Sequence, residues 1–153
     1  MTGGMTGGDK IVQAAMRWLG TPHVNGACVR GRGVDCGHLL AGVVIDAGLI
    51  SRSDVHLPDN YPHDWHLHRS DPWFLNYIQA YCDEVTDMRP GDFLVWQYGR
   101  CVSHAGIYMG HDTVCHAYVD MGTVLSNIHD VMFCDAVGHS RLRGIYRFRG
   151  LRS

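Results

Sequence analysis

Cys36 stands at the end of a glycine-rich approach, Gly31-Arg32-Gly33-Val34-Asp35-Cys36-Gly37-His38-Leu39-Leu40. Asp35 is a good helix N-cap. After it Leu39, Leu40, Val43, Val44 and Ala47 follow at helical spacing. Cys36 therefore falls in the first turn of a helix. Unpaired backbone N–H groups and the helix dipole there favour a thiolate and are expected to lower the thiol pKa. The plainer reading is one more buried core cysteine. A cysteine nucleophile also needs a base within hydrogen-bond reach and a third group to orient that base. Two histidines in apolar, strand-like segments fit those needs: His104 in Val102-Ser103-His104-Ala105-Gly106-Ile107-Tyr108, and His116 in Thr113-Val114-Cys115-His116-Ala117-Tyr118. Gly110-His111-Asp112 turns the chain between them. A two-residue loop at 110–111 pairs 104 with 117 and puts the histidines on opposite faces. A three-residue loop at 109–111 sets 104 across from 116 on one face. The pattern permits either.

These residues need helices and a sheet to hold them. Residues 1–8, two copies of Met-Thr-Gly-Gly, read as a flexible leader to a single domain over 9–153. Asp9 is expected to cap a first helix to about Leu19, with Ile11, Val12, Ala15, Met16 and Leu19 on one face, stopped by Gly20 and Pro22. The cysteine helix runs to about Ala47. Residues 51–69, rich in His, Asp and Pro, read as an exposed loop. Ser70 or Asp71 then caps a third helix with Pro72 in its first turn and Phe74, Tyr77, Ile78 and Tyr81 inward. Arg89-Pro90-Gly91-Asp92 is turn chemistry. Strands are expected at Phe93–Tyr98, Val102–Met109, Thr113–Tyr118, Thr123–Ile128 and Gly144–Arg149. Helices first and strands after argue α+β with an antiparallel sheet.

Composition bounds the partners. The chain has 153 residues, 46% hydrophobic and 18% charged, with a net charge of −2. This is a globular composition with no basic field for nucleic acid. No apolar run approaches the ~20 residues of a membrane-spanning helix, so no stable membrane insertion is expected. The N-terminus lacks the basic start and apolar centre of a signal peptide. The protein is therefore expected to stay where it is made or to leave by another route. The six cysteines are widely spaced and contain no C-x-x-C, which argues against a zinc ribbon or a thioredoxin-like motif. Histidine, at 11 residues, is frequent.

Five segments, in order, resemble the NlpC family of papain-like cell-wall peptidases: Gly20-Thr21-Pro22-His23, Val34-Asp35-Cys36-Gly37-His38-Leu39, Arg89-Pro90-Gly91-Asp92-Phe93, Ser103-His104-Ala105-Gly106-Ile107-Tyr108 and Cys115-His116-Ala117. The resemblance implies a papain-like fold with the cysteine helix packed on a small antiparallel sheet. It implies Cys36 as nucleophile, His104 as general base and His116 as the orienting third residue. His23, Asp35, Gly37 and Ser103 are expected to line the substrate site. The implied substrates are peptidoglycan stem peptides, typically cut at the D-glutamyl–diaminopimelate bond, with no metal or other cofactor. The compact, signal-less form is similar to the phage-encoded branch, carried in tail tips, baseplates or phage-like gene transfer agents. That branch implies tail hub or baseplate proteins as partners. Two departures stand out: His23 replaces a tyrosine near the cysteine, and bulky His38 replaces a small glycine. His38 must either point away from the sheet or reshape the pocket. Two other functions fit the same scaffold: a non-catalytic virion component, and an amidase or acyltransferase.

Other features have two readings each. Asp35 is a helix cap alone, or a cap that also binds a substrate ammonium. His56, His63, His66 and His68 form a solvated loop, or His63, His66 and His68 converge on zinc. Arg141, Arg143, Arg147 and Arg149 alternate along a terminal strand as a solvated face, or as a docking surface for an acidic partner. Trp65, Trp73 and Trp96 read as core or rim aromatics.

Overall fold

The first helix, α1 (Gly7–Trp18), begins two residues before the expected Asp9 cap. Thr6 and Asp9 make a reciprocal capping box instead. The Thr6 hydroxyl accepts from the Asp9 N–H at 3.0 Å, and the Asp9 carboxylate accepts from the Thr6 N–H at 3.1 Å. Asp9 is thus the third helical residue, and the ordered domain reaches into the expected leader. This computed structural model describes residues 5–55 and 73–151. The His-rich stretch with His56, His63, His66 and His68, Trp65, the Ser70 or Asp71 cap and Pro72 lie outside the described residues.

After α1 come a two-strand ribbon, β1 (Cys28–Val29) and β2 (Gly33–Val34), and the cysteine helix α2 (Cys36–Asp46). Nearly every α2 residue is buried, so it is a core helix rather than an amphipathic one. Next come α3 (Trp73–Tyr81) and β3 (Cys82–Val85). Cys82, directly after the last residue of α3, opens β3. The rest is β4 (Phe93–Gln97), β5 (Val102–Gly110), β6 (Thr113–Tyr118), β7 (Gly122–Asn127) and β8 (Leu142–Phe148). Among the described residues the main sheet is antiparallel with strand order β3-β8-β4-β5-β6-β7. The fold is α+β, as the order of helices and strands implied, and papain-like, as the family resemblance implied.

Alternation along the strands splits the core in two. Phe93, Val95, Ala105, Ile107, Cys115 and Ala117 face the helices, in one cluster with Ile11, Cys36, Leu39 and Val43. Leu94, Trp96 and Val114 face the other way, under Phe133. The Trp96 and Phe133 rings stack at 4.3 Å between centroids. Gly42 lets α1 and α2 approach: a Cβ there would fall 2.5 Å from the Trp18 ring. Trp18 donates its indole N–H to Asp46 at 2.8 Å.

The terminal arginines all have partners within the fold. Arg147 clamps the buried Asp92 carboxylate through two bonds of 2.8 Å. Arg149 pairs with Asp83 at 3.0 Å and donates to two carbonyls at the end of α3. Arg141 lies 4.9 Å over the Tyr98 ring, and Arg143 bonds the Ser140 and Leu142 carbonyls. Arg141 also donates to the Cys134 and Gln97 carbonyls, so each guanidinium has an acceptor within the fold.

Candidate active site

Asp35 starts α2 from an extended conformation and accepts from the His38 N–H at 2.9 Å. The same carboxylate takes the Gly26 N–H at 2.7 Å and His38 Nδ1 at 2.9 Å. It is 1% exposed. Its oxygens accept from three protein donors, which fits its role as a helix cap. His38 resolves its own steric problem the same way: its ring folds back onto the cap and is buried there.

The cap fixes Cys36 at the first helical position, against β5. Its Sγ lies 3.9 Å from the Ser103 carbonyl, and the N–H groups of Ala105, Gly37 and Cys36 point at the sulfur. The thiol therefore straddles the backbone of His104. Burial pushes the Cys36 thiol up, with the Asp35 charge adding to it, and the three N–H groups only partly offset this. The expected lowering does not hold in the free protein, because loss of hydration outweighs a helix terminus. Cys28, at about 11, and Cys82 and Cys115, each at about 12, are raised by burial as well.

His104 and His116 share one face of the sheet, but by neither anticipated register. The β5–β6 turn is two residues, His111 and Asp112, both at positive φ (51° and 58°), between paired Gly110 and Thr113. A bulge at Met109 then shifts the pairing to Tyr108↔Val114 and Ile107↔Cys115. Continued along the strands, this register puts Gly106 opposite His116 and leaves His104 diagonal to it. Gly106 is required: a Cβ there would lie 2.6 Å from Val114 and 3.0 Å from the His116 Cβ. The rings meet across this diagonal, His104 Nε2 to His116 Nδ1 at 2.8 Å. His116 Nε2 in turn meets Ser126 Oγ on β7 at 2.9 Å. Sequence reasoning missed Ser126, whose place depends on the Val114↔Ser126 register.

The pair is closed in. His104 sits among Trp96, Tyr98 and Tyr118, and Phe133 packs on His116. Burial holds the His104 imidazole well below its ordinary range, with nearby His116 and His23 also opposing its protonation. Burial lowers His116 to about 4, against a small opposing pull from Asp130. At rest the Cys36 thiol and both imidazoles are thus held neutral. With Nε2 of His104 bonded to His116, Nδ1 is the other ring nitrogen. Of the expected substrate residues, Gly37 borders an apolar cavity shared with Leu40, Phe74, Tyr77 and Phe93. The Ser103 hydroxyl is turned to the Tyr98 carbonyl at 3.3 Å. His23 is half-buried, bridges to Val34 and lies within electrostatic reach of His104. Among the described residues no His, Cys, Asp or Glu cluster suits a metal ion. No described helix is long and apolar enough to cross a membrane.

The model of the NlpC/P60 family matches residues 20–141, a span holding Cys36, His104, His116 and Ser126. The chain belongs to the NlpC/P60 family. NlpC/P60 proteins are peptidoglycan hydrolase-like cysteine peptidases. Similar solved structures agree in fold. NlpC1 from Trichomonas vaginalis is 14% identical with a TM-score of 0.66, covering 97% of this chain and 46% of its own. The NlpC/p60 domain of the peptidoglycan hydrolase SagA is 18% identical with a TM-score of 0.57, covering 92% and 98%. An NLP/P60 lipoprotein-like protein from Staphylococcus aureus is 20% identical with a TM-score of 0.57, covering 93% and 41%. The chain thus spans about half of NlpC1 but nearly all of the SagA domain. No curated protein matches it in sequence.

Proposed function

We propose that this NlpC/P60 chain is a cysteine endopeptidase that cuts peptidoglycan stem peptides, with Cys36 as nucleophile, His104 as general base and His116 as the residue that orients it. One observation carries the reading: the 2.8 Å His104–His116 bond occupies Nε2 and leaves Nδ1 for the thiol, whose sulfur lies against residues 103–105. His104 Nδ1 takes the thiol proton as sulfur attacks the scissile carbonyl. The charge that builds on the carbonyl oxygen is met by the Cys36 N–H at the helix start, which has no partner within the helix. His104 then returns the proton to the leaving amine, and a thioester remains on Cys36. Water, losing a proton to the same nitrogen, hydrolyses it. Because the resting pair is neutral, proton transfer accompanies attack rather than preceding it.

The resemblance noted in the sequence favours the D-glutamyl–diaminopimelate bond. It also favours delivery in a phage-like tail, where hub or baseplate proteins would be the partners. Mass spectrometry of muropeptides released from purified cell walls tests the first point. New free diaminopimelate amines with wild type, absent with Cys36→Ala, are expected. Cleavage that survives Cys36→Ala overturns the peptidase reading in favour of a binding module. The second point predicts co-purification with tailed particles; particles lacking the protein would overturn it.

A further inference from the structure

The hydrogen-bonded row on the sheet does not stop at the third residue. It runs from His104 on β5 to His116 on β6 and on to Ser126 on β7, with spacings of 2.8 and 2.9 Å. Three strands each give one member, and the β6–β7 register holds the last in place: Val114 faces Ser126 and Val124 faces His116. His116 is fully buried, so neither of its nitrogens is left to solvent.

A row of two neutral imidazoles can be protonated in two directions. In one, each ring carries its proton on Nε2. His104 Nδ1 is then bare, His104 Nε2–H donates to His116 Nδ1, and His116 Nε2–H donates to Ser126. In the other, each ring carries its proton on Nδ1. Ser126 then donates to His116, His116 Nδ1–H donates to His104, and His104 Nδ1 bears a proton and cannot take one from Cys36. Only the first direction gives a working base. A hydroxyl both donates and accepts, so Ser126 completes the first direction while its own proton turns elsewhere.

We propose that Ser126 is a positioning residue that supports this direction, accepting from His116 Nε2–H and so helping to keep His104 Nδ1 bare. The inference rests on the roles proposed above for Cys36 and His104. Ser126 touches neither substrate nor the reacting atoms; it acts through His116.

Ser126→Thr and Ser126→Val test it as a matched pair. The two side chains share a shape and suit a strand, and they differ only by hydroxyl against methyl. Nitrogen NMR of 15N-labelled histidine reads the protonated ring nitrogen directly. Wild type and Ser126→Thr should carry the proton on Nε2 of both His104 and His116. Ser126→Val should lose that uniform state, with kcat for stem-peptide cleavage down about tenfold and KM unchanged, the loss of roughly one hydrogen bond. A wild-type His116 protonated on Nδ1 overturns the inference at once. So do equal kcat values for the two variants, or a fall in kcat with both tautomers intact. If wild type cleaves no stem peptide, the proposed function fails while the tautomer result still decides the role of Ser126.

Discussion

Cys36 and His104 are proposed to share one proton, so neither has a role without the other. Removing either should cost about as much as removing both. Kinetics of Cys36→Ala, His104→Ala and the double variant on one stem-peptide substrate check this; additive losses would break the dyad. The two histidines also carry a pH signature. Both are held neutral by burial, His116 at about 4 against an ordinary 6.5. In the unfolded chain they regain the ordinary value. Between about pH 6.5 and 4 the unfolded state therefore binds more protons, and stability falls as pH falls. The contribution is whole above 6.5 and lost on approach to 4. For His116 alone this amounts to about 3 kcal/mol over the window. Thermal unfolding of His116→Gln should show a visibly flatter dependence between pH 7 and 4 than wild type.

At the scale of elements, the β5–β6 hairpin decides whether the two histidines meet. Its turn uses two non-glycine residues in the left-handed region, His111 and Asp112. The twist of the flanking strands selects this turn, and glycine is its cheapest occupant. Asp112→Gly should stabilise the protein by about 0.5–1 kcal/mol, seen as a higher denaturation midpoint at constant slope. It gives up the Asp112–His129 pair, which is exposed on both sides and adds little. Catalytic constants should not move, because the Met109 bulge and Gly106, not the turn tip, align His104 with His116.

Across the whole molecule, the sheet is tied from the inner strand β8 to the turn that leads into β4. Arg147 on β8 holds the buried Asp92 carboxylate ahead of β4, and Asp92 also caps the Arg89 N–H at 2.8 Å. Arg147→Ala leaves that carboxylate with only part of its partners. A loss on the order of 2 kcal/mol is expected in chemical denaturation, with the m-value unchanged. The site lies across β5 from this clamp, so residual activity per folded molecule should hold.

The sequence by itself determined the local features. Asp35, at the end of a glycine-rich approach and followed by an apolar run at helical spacing, dictates a capped helix with Cys36 in its first turn. Strand alternation dictates that His104 and His116 lie in β structure, and the order of helices and strands dictates an α+β chain. These follow from bonding and packing between near neighbours. Tertiary structure decided what depends on long-range register and burial. The bulge at Met109, invisible in composition, puts His104 and His116 on one face; with the Gly110↔Thr113 register carried straight on they would lie on opposite faces. Ser126 entered the row only through the β6–β7 pairing. Arg147 reached the Asp92 carboxylate only because β8 pairs with β4 within the sheet. The Cys36 thiol is raised rather than lowered because burial against β5 strips its hydration, a cost that no spacing of residues along the chain can reveal.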